Sequence, residues 1–311
     1  MPHLLLLVLA LLPAHPAPAD TLRPTSAGRR LAYTYANDFF FGTDYYFTQG
    51  MTLDYSSPAL ARLPVNKLLP AGPVGSRRAH GIQLRYDGFT PLVITDDFIR
   101  VGDRPYAAYL YASLYRRSTQ PRQRLTTAVE IGFIGPAAGG KFIQTKLHEL
   151  THNPTPRGWD YQIRHDAVLG YRVAYEQQLA GAGRWVALIG TAEASASTLY
   201  TYASAGGLLR VGYSEWYFAE PGRTGWQCYG QATLTGYLVG YDATLQGGVF
   251  NCSSPYVLAA SEVSRVVMHS TGSIVVAHGS LSFTATAAYV GPEFAGGRPH
   301  RWGVLGVARA F

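Results

Sequence analysis

The stretch CYGQATLTGYL, residues 228–238, alternates without a break. Its even positions are Cys228, Gly230, Ala232, Leu234, Gly236 and Leu238, and its odd positions are Tyr229, Gln231, Thr233, Thr235 and Tyr237. A period of two, with small or apolar side chains on one face and polar or tyrosine side chains on the other, is the pattern of a β-strand with two different surroundings. The same alternation recurs in 47–55, where Phe47, Met51, Leu53 and Tyr55 oppose Thr48, Gly50, Thr52 and Asp54, and in 281–289, where Leu281, Phe283 and Tyr289 oppose Ser282, Thr284 and Thr286. Twelve such runs follow one another: 31–36, 47–55, 79–86, 107–115, 125–134, 167–178, 185–195, 204–212, 227–241, 263–277, 280–290 and 301–311.

Most of these runs exceed the roughly 5–6 residues of an ordinary soluble strand. They approach the 9–11 residues a tilted strand needs to cross a bilayer. The turns near 180–183 and 278–279 are short, whereas the connections around 87–105, 135–166 and 242–260 are long. Alternately short and long connections between an even number of strands point to an all-β fold, a twelve-stranded antiparallel transmembrane β-barrel. One connection, 56–78, is long on the side where short ones are expected. The chain closes on Phe311, with Leu305 and Val307 on the same face of the last strand. The competing fold is a soluble β-sandwich or lipocalin-like barrel, against which strand length and the terminal Phe both argue.

Composition agrees. Of 311 residues only 14% are charged, against about 25% in an average soluble domain. The net charge is +7, carried almost wholly by Arg, since only Lys67, Lys141 and Lys146 are lysines. Scattered arginines with no basic run among aromatics exclude nucleic acid as the expected partner, whereas guanidinium suits the phosphates of lipid headgroups. Residues 4–12 form an apolar stretch, and Ala17-Pro18-Ala19 supplies a small-x-small cleavage pattern. Residues 1–19 therefore read as a signal peptide, with a mature chain of 20–311 beyond the inner membrane. Cys228 and Cys252 lie too far apart along the predicted fold for a disulfide to be the favoured state, and neither has zinc-site neighbours.

One segment does not follow the strand pattern. In the 135–166 loop, residues 141–151 read as a short helix with Ile143, Leu147 and Leu150 as its buried stripe. Beside that stripe Gln144, His148 and His152 recur at intervals of four. The ordinary reading of such a His is a solvated surface residue. It changes with the first hairpin, which places Asn37, Asp38 and Thr48 at one rim: a carboxylate beside amide and hydroxyl oxygens suits a hard cation such as calcium, although an Asx turn would use the same Asn-Asp pair. Phe39, Phe40 and Phe41 read as part of a membrane-interface belt.

These segments together resemble a known family. Asn37-Asp38, Phe41-Gly42-Thr43-Asp44, Thr48-Gln49-Gly50, Asp103-Arg104-Pro105-Tyr106-Ala107, Ile134-Gly135-Pro136 to Gly139-Gly140, Gln144 with His148, Gly158-Trp159-Asp160-Tyr161-Gln162, Leu245-Gln246-Gly247 and Glu293-Phe294 stand in the order and spacing of the outer-membrane lipid A 3′-O-deacylases of the LpxR type. The resemblance covers about residues 30–311. It implies an ester hydrolase that removes the 3′ acyloxyacyl group from lipid A in the outer leaflet, acting on lipopolysaccharide as a monomer with a divalent cation, usually calcium. It casts His148 as general base, Gln144 and Thr48 as its catalytic partners, and Asn37 and Asp38 as metal residues. Zinc stays open because of His148 and His152. The sequence departs from the family pattern at Ala108, Phe47 and Pro154, the last standing where some members have an acid; Glu149 or Asp160 are the candidates to replace it. The alternatives are a passive pore or adhesin and an outer-membrane phospholipase.

Overall fold

In a computed structural model, residues 28–219 and 225–311 are described; the expected signal peptide, 1–19, lies outside them. The chain forms one closed antiparallel barrel. Its strands are β1 (Arg30–Asn37), β2 (Tyr46–Ser56), β3 (Arg77–Thr90), β4 (Ala107–Gln120), β5 (Gln123–Ile134), β6 (Asp166–Ala182), β7 (Val186–Ser197), β8 (Tyr200–Tyr213), β9 (Trp226–Asp242), β10 (Val266–His278), β11 (Leu281–Val290) and β12 (His300–Ala310). Each strand pairs with its sequence neighbours, and β1 pairs with β12 from Arg30↔Ala310 to Asn37↔Gly303. All twelve expected strands are present, several of them longer than their apolar runs.

The alternation separates two environments. Along β9, Leu234 and Leu238 are 57% and 61% exposed on the outer wall, while Tyr229, Gln231 and Tyr237 line the lumen. The last strand likewise turns Leu305, Val307 and Phe311 outward. Around the end where the chain terminates, exposed Trp185, Tyr213 and Trp226 form an aromatic girdle, as expected where an amphipathic ring meets headgroups. Cys228 and Cys252 are both free thiols.

The lumen is not an open channel. Two cavities of about 430 and 690 Å³ occupy its two halves and share no lining residue. Between and around them inward side chains pair with one another. Arg172 Nε donates to Glu130 Oε1 at 3.0 Å and Arg172 Nη1 lies 3.4 Å from Glu193 Oε2, while Tyr202 donates to Glu193. Arg85 donates to Asp87 at 2.8 Å, and Asp87 also accepts from Tyr109. At the loop end, the fully buried Arg104 donates to Glu293 and Thr244, both at 2.7 Å, and stacks on Phe89. Removing one partner from such a set leaves an uncompensated charge, which costs about 3–5 kcal/mol. Arg172→Leu is therefore expected to lower the thermal transition of the folded barrel, followed as the band shift on heating before electrophoresis. Adding Glu130→Gln and Glu193→Gln should restore much of the loss, and an unchanged transition in the single variant would contradict this.

Candidate active site on the outer wall

The connections on one side of the barrel build a site on its lipid-facing surface. Asn37 ends β1 on the outer wall, and its Oδ1 accepts from the Phe39 N–H at 2.8 Å, capping the 3₁₀ turn Asp38–Phe41. Gly42 closes that turn in the left-handed region. The chain then returns through Asp44 and Tyr45 into β2, where the β2–β3 register slips between Phe47 and Gln49. A bulge of this kind adds one residue to a strand and re-aims its side chains. Here Phe47 points into the lumen, and Thr48 and Gln49 are delivered to the outer wall, both buried.

Against that wall lies α1 (Gly140–Thr151). The expected buried stripe is corrected: Leu150 is 78% exposed, Ile143 and Leu147 are half-buried, and the side chains turned inward are those of Gln144 and His148, at 0% and 5%. The reason is the set of bonds the inward face makes: Gln144 and His148 find polar partners on the protein, while Phe142 and Leu150 stay outside beside the charged Lys141, Lys146 and Glu149. Gly140 makes the approach possible, because a Cβ there would lie 2.5 Å from the Trp159 ring and 2.7 Å from Ala108 Cβ. Gln144 ties helix to wall, donating from Nε2 to Thr48 Oγ1 at 3.2 Å and accepting from Trp159 Nε1 at 2.7 Å.

His148 is held from the helix end. His152 stands in the left-handed conformation at the C-cap, and Asn153 N–H reaches back to the His148 carbonyl at 2.9 Å. This turn brings the Pro154 carbonyl to His148 Nδ1 at 2.6 Å. A carbonyl only accepts, so Nδ1 carries the hydrogen and Nε2 presents its lone pair. Neither expected acid does this orienting: Glu149 pairs with Lys146 and Asp160 with Lys141 on the exposed side of the helix. The backbone carbonyl of Pro154 performs the task instead. His152 is exposed and serves as the cap.

The acid facing His148 is Asp44, whose Oδ2 lies 3.6 Å from Nε2, too long for a hydrogen bond. Asp44 stood within the sequence motif but carried no assigned role; that it closes the same short loop that Asp38 opens was the available signal. Burial raises the Asp44 carboxyl, opposed by His148 and by a hydrogen bond with Thr48, and its Oδ1 is buried without a partner. Asp38, 2% exposed, is pushed up to about 8, first by burial and then by the charge of Asp44, although Tyr45 N–H donates to it at 3.0 Å. Two carboxyls both raised by burial, Asp38 further by the charge of Asp44, and one with an orphaned oxygen, fit a divalent cation held by oxygen ligands. No group of three or more His, Cys, Asp and Glu is placed to hold a metal ion among the described residues, so other donors to a cation would be amide, hydroxyl, carbonyl or solvent oxygens.

Asn37, Asp38, Thr48, Gln144 and His148 thus meet in one place, with Asp44, Trp159 and the Pro154 carbonyl added by the structure. The profile of the family described as "Outer membrane protein LpxR" matches residues 4–311. The chain belongs to this family. Among solved structures it is similar to LpxR from Salmonella typhimurium, with a TM-score of 0.73 and 18% identity over 91% of this chain and 100% of that one. The β domain of the Bordetella autotransporter BrkA follows at a TM-score of 0.44 and 11% identity, covering 92% of this chain and 100% of that one. No curated protein matches the sequence. This LpxR-family protein is an outer-membrane barrel, and the end that carries the site, with most of the long connections, is the extracellular end by the rule that periplasmic turns are short.

Two outcomes follow. Gly140→Val should detach α1 from Trp159 and Ala108 while leaving the barrel heat-modifiable; unaltered protease protection of the 135–165 loop would contradict this packing. Because Asp38 is raised in the folded state, the folded chain holds a proton that the unfolded chain releases above its ordinary carboxylate range. In chelator, stability should therefore fall as pH rises from about 4 to 8, and Asp38→Asn should flatten that slope in a thermal-melt series.

Proposed function

We propose that this protein is a lipid A 3′-O-deacylase, a cation-dependent ester hydrolase that removes an acyloxyacyl group from lipid A in the outer leaflet. The observation that carries the reading is the His148 lone pair. It is oriented by the Pro154 carbonyl and faces the Asp38–Asp44 pair on the lipid side of the wall. A substrate anchored in the leaflet reaches such a site laterally, without entering the lumen.

His148 Nε2 takes a proton from water as the water oxygen attacks the ester carbonyl carbon. The imidazolium formed is stabilised by Asp44, 3.6 Å away. As the tetrahedral intermediate collapses, the bond to the 3′ oxygen breaks and His148 returns its proton to that oxygen, giving a free hydroxyl and a released fatty acid. Thr48, between Gln144 and Asp44, sets the spacing of helix and hairpin, and Gln144 keeps one amide hydrogen free of the Thr48 bond. Asp38 and Asp44 would hold the cation, calcium by ligand type, with Asn37 fixing the turn that presents Asp38; such an ion supplies polarisation of the carbonyl and stabilisation of the developing oxyanion. The paired charges inside the barrel argue against a passive pore.

His148→Ala is expected to lower deacylation by about 10²–10⁴-fold while the barrel assembles, read by mass spectrometry of lipid A from expressing cells. Asp44→Asn should also lower activity, and chelator should act on the wild type. Wild-type release of the acyl group by His148→Ala, or lysophospholipid accumulation with lipid A unchanged, would overturn the proposal.

A further inference from the structure

The long connection 57–76 runs on the periplasmic side, yet it neither projects into the periplasm nor enters the lumen. It lies flat on the outer wall. Arg116 donates to the carbonyls of Asn66, at 2.7 Å, and Leu69; Gly72 N–H donates to Ser118 Oγ at 3.0 Å; Thr127 donates to the Pro70 carbonyl at 3.1 Å; and Tyr171 donates to the Leu68 carbonyl at 3.2 Å. These partners occupy outward positions of β4, β5 and β6, so the segment straps three adjacent strands. Its own shape comes from two 3₁₀ turns, Pro58–Arg62 and Pro64–Leu68, joined by Asn66 Nδ2, which donates to the carbonyls of Leu60 and Leu63 at 2.8 and 3.0 Å.

The wall beneath changes character at this level. Going down from the extracellular side, the outward positions of β4 read Ala108, Leu110, Ala112 and Leu114, then Arg116 and Ser118. Those of β3 read Tyr86, Leu84 and Ile82, then His80 and Arg78, and those of β5 read Phe133, Ile131 and Val129, then Thr127, Leu125 and Gln123. At the level of Arg116 all three strands turn from apolar to polar, with Leu125 the one apolar position below it. From Ala108, beneath α1, to Arg116, beneath the strap, is eight residues, or about 26 Å along the strand at roughly 3.3 Å per residue. Strand tilt shortens this towards the roughly 25 Å or less of a barrel's apolar band. The strap therefore sits at the headgroup level of the inner leaflet.

Its outward side chains suit that level. Leu68 and Val74 are 64% and 96% exposed, and Arg62 and Lys67 are exposed beside them. No Asp or Glu occurs between Asp54 and Asp87 in the sequence. Arg78 stands diagonal to Arg116 across the β3–β4 register, in which His80 faces Arg116, and neither arginine has a carboxylate partner among the described residues. The Arg78 Nε is shielded and without a hydrogen-bond partner. Adjacent like charges at a lipid boundary, with no counter-anion among the described residues, call for an anion from the membrane.

We propose that the 57–76 strap is a phospholipid-recognition element: Leu68 and Val74 insert among the inner-leaflet chains, the Arg78 guanidinium binds the phosphate of a glycerophospholipid headgroup, and the exposed Lys67 adds a second positive charge from the strap. The site is separate from the outer-leaflet chemistry and does not depend on it. The test uses the purified full-length barrel in detergent, titrated with phosphatidylglycerol and observed by native mass spectrometry. Wild type should retain phosphatidylglycerol, with retention falling about fivefold for each charge removed in Lys67→Ala and Arg78→Ala, and Arg78→Lys should keep most of it. Leu68→Asp should lower the thermal transition in phosphatidylethanolamine–phosphatidylglycerol vesicles but not in micelles. Lipid A deacylation in mixed micelles should stay unchanged in Lys67→Ala and Arg78→Ala. Equal retention by wild type and the Lys67→Ala/Arg78→Ala double variant, each shown folded by heat modifiability, would overturn the proposal. Displacement of the lipid by millimolar inorganic phosphate would also overturn it, by showing a free-anion site instead.

Discussion

Closure of the hydrogen-bonded ring is the constraint on which everything else rests. Inside hydrocarbon an unpaired backbone amide or carbonyl has no solvent to turn to, so a membrane-crossing sheet must leave no edge. The pairing of β1 with β12 along its full length, extended by the Phe311 N–H donating to the Arg29 carbonyl at 2.8 Å, meets that requirement. Once the ring is closed, each residue faces either lipid or lumen, and the period-two pattern becomes a statement about which. The lumen of this barrel holds paired charges, and the candidate site lies on the outside of the wall.

Two additions to the outer wall exploit the same strands at opposite leaflets. On the extracellular side, α1 packs through Gly140 and is bonded through Gln144, leaving His148 facing the carboxyls of the first loop. On the periplasmic side, the 57–76 strap is bonded through Arg116, Ser118, Thr127 and Tyr171. Both turn polar side chains to the protein and leave apolar ones exposed, on α1 beside the charged Lys141, Lys146 and Glu149, the reverse of the burial expected of a soluble surface element.

That reversal explains which parts of the site were legible. His148, Gln144, Thr48, Asn37 and Asp38 could be selected because residue type and helical spacing, read with the family resemblance, grouped them. The helix's buried face could not, since it is set by bonds of Gln144 to Thr48 and Trp159 and of His148 to the Pro154 carbonyl, which helical periodicity does not show. Asp44 sat within a recognised motif, but its role depends on how the Gly42 turn folds the loop over the bulge at Thr48. The Pro154 carbonyl carries no side-chain signal; only the left-handed cap at His152 puts it beside the imidazole.

By itself the sequence determined the strands, their number and their faces, because alternation is local and a shift of one residue would turn every apolar side chain the wrong way. It also determined the set of chemical groups available. Tertiary structure decided which carboxyl faces His148, which nitrogen of that ring is free, and where the 57–76 connection lies. Those outcomes are contacts between residues distant in sequence, set by how loops return to a wall that exists only after the ring has closed.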